Sequence, residues 1–146
     1  MKKLTIALIL AGVSLTTVEA ADIDFGKQIY PILRDNCLSC HAAPYEDTRG
    51  RTKKPKAGLR LDTAELIAKG TLDDDDKPKK SVVAGKPDQS PIYTTTTLPE
   101  DHDDIMPATG DPLTKAEQNL LKNWILQGAK FGGFKAPAYV NPKAKK

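Results

Sequence analysis

A chain of 146 residues is the length of one domain. Its net charge of +3, from 22 lysines and arginines against 19 carboxylates, is too small for the clearly basic surface that nucleic-acid binding requires. Only two cysteines, two histidines and two methionines are present, so every soft or imidazole ligand can be followed by name.

Met1-Lys2-Lys3 is a short positive region, Leu4 to Val13 an apolar stretch, and Val18-Glu19-Ala20 puts small residues where a signal peptidase reads. The stretch is well short of the about 20 apolar residues of a spanning helix. Residues 1–20 are therefore expected to be a cleaved export signal, which places the mature chain in the periplasm with no stable membrane insertion; an uncleaved membrane anchor is the alternative.

In the mature chain Asp24 is positioned as a helix N-cap. Phe25, Ile29, Ile32 and Leu33 follow at helical spacing, with Pro31 predicting a kink or a later helix start. This helix leads into Cys37-Leu38-Ser39-Cys40-His41. Cys-x-x-Cys-His is the pattern of covalent c-type haem attachment. Two thiols three residues apart can add across the two vinyl groups of one porphyrin edge. The next residue, His41, then lies where an imidazole can bind the iron as proximal ligand. A thioredoxin-like redox pair, a plain disulfide, or a zinc site completed by His102 are the rivals. No βαβ pattern supports the first, and adjacent Cys40 and His41 fit one tetrahedron poorly.

Residues 42–58 are polar and carry Arg49, Arg51, Lys53, Lys54 and Lys56, which reads as a long exposed loop. Such a loop near a haem edge could face an acidic redox partner, although a solvated loop is the plainer account. Asp62-Thr63-Ala64-Glu65 has capping-box logic with Asp62 as N-cap, and Leu66, Ile67 and Ala68 supply a short helix that Gly70 ends. Arg60 is a candidate partner for the haem propionates, because a guanidinium fork matches a carboxylate. Asp73 to Asp76 repel one another and predict a surface loop. Ser90-Pro91 then opens a short helix carrying Ile92 and Tyr93.

Glu100 to Pro107 holds both candidates for the sixth iron ligand, Met106 and His102. With Met1 lost in the signal, Met106 is the only thioether left, and thioether ligation favours the reduced iron. It has apolar Ile105 before it and Pro107 after it, whereas His102 is flanked by four carboxylates. Met106 is therefore preferred, with His102 or an open position as alternatives. Thr114-Lys115-Ala116-Glu117 is a capping box, and Leu120, Leu121, Trp124 and Ile125 form an apolar stripe ending at Gly128. The Phe25–Leu33 helix is the obvious partner for this stripe. Residues 135–146, with two prolines and four lysines, predict a basic disordered tail.

Taken together, Cys37-x-x-Cys-His41, Met106-Pro107 and a C-terminal amphipathic helix resemble a monohaem class I c-type cytochrome. Tyr30-Pro31-Ile32-Leu33, Gly58 to Asp62, Gly85-Lys86-Pro87 with Ser90, and Trp124-Ile125 with Gly128-Ala129 are similar to the planctomycete-type cytochrome c domain. The resemblance implies an all-α fold with crossed N- and C-terminal helices, short helices and long loops around one covalent haem c. It implies a cytochrome c domain over residues 21–134, iron held by His41 and Met106, and electron transfer. The expected role is a non-enzymatic carrier that docks transiently, steered by charge, with redox donors and acceptors. A subunit of a larger complex, or a sensor or enzyme module with displaceable Met106, is the alternative.

Overall fold

The computed structural model describes residues 21–145, so the expected export signal over residues 1–20 lies outside the described residues. Asp24 caps the first helical segment, its side chain accepting the Lys27 N–H at 3.0 Å. That segment starts as a π turn over Phe25–Ile29 and continues as α1, Tyr30–Asn36. Pro31 has no N–H to donate to the carbonyl four residues earlier. The Tyr30 N–H reaches back five residues to the Phe25 carbonyl instead, giving the wider turn. Phe25, Ile29, Tyr30, Ile32 and Leu33 are buried on its inner face.

The basic loop is ordered by a small antiparallel ladder, β1 (Tyr45–Glu46) against β2 (Thr52–Lys53). Asp47 closes its turn by accepting the N–H groups of Arg49 and Arg51 at 2.9 and 3.0 Å. Helix α2 spans Ala64–Lys69, one residue later than Asp62 as N-cap would give. The cap is Thr63, which accepts the Leu66 N–H, because the Asp62 carboxylate is occupied by Arg60. Gly70 ends α2 at φ 78°, where a Cβ would collide with the Lys79 carbonyl. The backbone there pairs Thr71–Leu72 (β3) with Pro78–Lys79 (β4), and the four aspartates form the hairpin tip.

Ser90 precedes Pro91–Thr94, α3, and is fully buried. Its hydroxyl makes no cap bond; it accepts the Val83 N–H at 2.9 Å and donates to the Lys86 carbonyl at 2.8 Å, tying the preceding loop to the core. Helix α4, Lys115–Leu126, has its capping box: Thr114 Oγ1 accepts the Glu117 N–H, and Glu117 accepts the Thr114 N–H at 2.8 Å. Leu121, Trp124 and Ile125 are buried. The first helical segment meets α4 where the Phe25 and Trp124 rings lie 5.2 Å apart, and Phe131 and Phe134 close around Phe25 at 4.8 and 5.4 Å. The described residues hold four α-helices, one π turn, three 3-10 turns and two two-residue ladders, with no closed sheet. No described helix is long and apolar enough to cross a membrane.

The segment after Phe134 departs from the disordered tail that its composition predicts. Tyr139 and Ala136 pack against the core, and Asn141 is buried. Asn141 Nδ2 donates to the Ser39 carbonyl at 3.0 Å, Ala144 bridges Asp47, and the Lys145 N–H donates to the Glu46 carbonyl at 2.8 Å. Within the stretch Asn141 accepts the Lys143 and Ala144 N–H groups at 3.0 and 2.9 Å, and the carbonyls of Ser39 and Glu46 anchor it from outside.

Candidate functional site

The Cys37–His41 pentapeptide is one tight turn at the end of α1. The Leu33 carbonyl accepts the N–H groups of Cys37 and Leu38 at 2.8 and 3.0 Å, and the Cys37 carbonyl accepts those of Cys40 and His41 at 3.1 and 3.0 Å. Leu38, with no exposed surface, anchors the turn in the core and leaves Cys37, Cys40 and His41 half-buried around it. No disulfide joins the two cysteines. The long loop returns to this turn, the Lys56 N–H donating to the Cys40 carbonyl at 2.9 Å and the Leu61 N–H to the His41 carbonyl at 2.7 Å.

Electrostatics separate the rival readings. Burial, with Cys40 and Glu117 nearby, pushes the Cys37 thiol up to about 12. That shift is opposite in direction to the lowered thiolate pKa of a dithiol redox nucleophile. Burial also holds the His41 imidazole below the ordinary histidine value, against the pull of the Leu59 and Lys56 backbone. Its Nδ1 is buried and has no hydrogen-bond partner. A neutral imidazole with an unmet polar atom is the form that ligates a metal, and buried polar groups otherwise find partners. His102 does not join the cysteines: it is exposed, its Nδ1 accepts the Asp104 N–H at 3.0 Å, and no described cluster of three such ligands could hold a metal ion.

Met106 is half-buried, and its N–H donates to the Thr95 carbonyl at 3.0 Å, in the 3-10 turn Thr95–Thr97 after α3. That turn is held in place by Gln118 of α4, which donates Nε2 to the Thr96 carbonyl at 2.7 Å and to the Leu113 carbonyl at 3.3 Å. No sequence motif singles out Gln118. Its one signal is a polar residue on the stripe of Leu121 and Ile125. Arg60 does not stand free; its Nε and Nη2 form a fork onto Asp62. Two cavities, of about 380 and 510 Å³, flank the aromatic cluster and Cys40 respectively, and neither is lined by His41 or Met106.

A family model described as Planctomycete cytochrome C matches residues 37–110, just over half of the chain, from the first thiol of the turn to beyond Met106. The chain belongs to this family. No curated protein and no solved structure matches it. As a member of the planctomycete cytochrome c family it is a haem-containing electron-transfer module, with the haem bound covalently. The residues present fit that group: two cysteines not joined by a disulfide, one imidazole with a buried, unpartnered Nδ1, and a short, core-anchored turn carrying all three. Helix α4, which buries the aromatic core and carries Gln118, lies beyond the matched segment.

Proposed function

We propose that this cytochrome carries one haem per chain, joined through Cys37 and Cys40 and ligated by His41 and Met106, and works as a non-enzymatic electron carrier in the periplasm. The carrying observation is the single turn that presents Cys37 and Cys40, not joined by a disulfide, beside an imidazole with a buried, unpartnered nitrogen. Iron so ligated supplies a reversible one-electron couple. The chain's own residues do the rest. The α1 terminus orients the thiols, the Leu61 N–H fixes the His41 backbone, and Thr95 with Gln118 fixes the strand of chain bearing Met106. A filled sixth position leaves no site for a substrate. The first and last helices cross at Phe25 and Trp124 in this reading. Arg60 turns one side of its fork to Asp62, and its Nη1 is the group left to meet a propionate.

The ferric protein is expected to show the weak far-red absorption band of thioether-bound iron, and Met106→Ala to lose it. A high-spin ferric spectrum with rapid cyanide binding in the unaltered protein would overturn the ligand set. Intact mass should exceed the chain mass by one haem. Haem that passes into acidified organic solvent on denaturation would overturn the covalent link.

A further inference from the structure

The C-terminal segment brings charge to a place where the linear sequence does not put it. Asn141, Ala144 and Lys145 clasp Ser39, Asp47 and Glu46, so residues 139–145 lie as a strap across the haem-attachment turn. Tyr139 faces inward, its hydroxyl pushed up by burial with Asp35 and Cys40 nearby. Between strap and loop lies the cavity of about 510 Å³, whose lining includes Cys40, Tyr45, Lys54, Lys56, Asn141 and Lys143.

Residues 42–58 and 139–145 together hold seven basic side chains against two acidic ones, Glu46 and Asp47. Both acids are already engaged, Asp47 by Arg51 and Lys53 and Glu46 by Lys145. Lys54, Lys56 and Lys143 are exposed and have no ion-pair partner among the described residues. Val140, 78 % exposed, supplies an apolar contact beside them. The Met106 side has the opposite sign: residues 87–114 contain six carboxylates and no lysine or arginine.

We infer that the strap and the loop form one docking face beside Cys40 for an acidic surface of a partner redox protein, and that Asn141 is the positioning residue that assembles it. The inference rests on the electron-transfer reading above and chooses between two faces of opposite charge. Unpaired lysines around a cavity next to a thioether cysteine raise the local concentration of anionic partners where the electron leaves. Asn141 acts through its neighbours: Nδ2 ties the segment to the Ser39 carbonyl and Oδ1 accepts the Lys143 N–H, so that Lys143 lines the same cavity as Lys54 and Lys56.

The test oxidises the reduced holoprotein with an anionic probe, hexacyanoferrate(III), and a cationic probe, tris(phenanthroline)cobalt(III), across a salt series. Each takes one electron from the protein, giving hexacyanoferrate(II) or the cobalt(II) complex and ferric protein. The anionic reaction should slow with salt and the cationic one should not. Reversing Lys54, Lys56 and Lys143 to glutamate should cut the low-salt anionic rate on the order of tenfold. Asn141→Ala, which changes no charge, should lower it in part. The same three-charge reversal at Lys69, Lys77 and Lys79 should leave it near its original value, and polyglutamate should inhibit the unaltered protein but not the Lys54/Lys56/Lys143 variant. A protein that reacts with both probes while the reversed variant keeps its salt response overturns the docking face alone. Transfer to neither probe overturns the carrier reading with it.

Discussion

Gln118 and Asp62 show how single polar side chains decide local geometry here. Gln118 is buried on the core side of α4, and its amide is the only described side chain donating to the Thr96 carbonyl. Gln118→Ala leaves that carbonyl unpaired, and an orphaned buried acceptor costs about 1–3 kcal/mol. Urea unfolding should show that loss with an unchanged slope, whereas exposed Lys122→Ala should stay within about 0.5 kcal/mol. Because Met106 hangs from the same turn through Thr95, Gln118→Ala should also weaken the far-red band. Asp62 was legible as a capping carboxylate by spacing alone. It does not cap, since a bidentate guanidinium two residues away satisfies it better than one helical N–H.

Among the elements, the Asp47 turn couples the basic loop to the strap. Three donors from Arg49 and Arg51 hold the Asp47 carboxyl at a pKa of about 2, with the Arg51 backbone N–H the largest cause. Its unfolded value is about 3.9. The folded value is depressed, so its stabilisation is complete above about pH 4 and is lost as pH falls through about 2. Protection factors of the amides in residues 45–53 and at Lys145, corrected for intrinsic exchange, should fall as pH drops across that window. In Asp47→Asn they should start lower and show no such fall. The first helix gives a second lesson at this scale. Pro31 predicted a kink or later start, and the outcome is a π turn, because the Tyr30 N–H could still find the Phe25 carbonyl.

For the whole molecule, stability rests on the aromatic contact between its two ends. Trp124, 1 % exposed, packs tilted against Phe25 and edge-on against Phe131, and donates Nε1 to the Lys130 carbonyl at 2.9 Å. Trp124→Ala should cost about 3–5 kcal/mol, measured by denaturant unfolding of the holoprotein. A chain this small has little core of its own, so a large covalent apolar group adds much of what is buried. Cys37→Ala with Cys40→Ala, produced without haem, should therefore melt at lower temperature and less cooperatively than the parent. Near-ultraviolet circular dichroism of the Trp124 environment would report it.

The Cys37–His41 turn, the α4 capping box and the helical class were written locally: each depends on spacing within a few residues, which covalent geometry converts directly into structure. The tertiary structure alone decided where the long-range polar partners go. Ser39 with Asn141, Thr96 with Gln118 and Ile67 with Ser81 are bonds between residues 102, 22 and 14 positions apart, and no local pattern encodes such pairings. For the same reason a lysine-rich stretch that composition reads as a free tail became a strap across the haem-attachment turn. Its order comes from unpaired carbonyls elsewhere in the chain, and those exist only once the chain has folded.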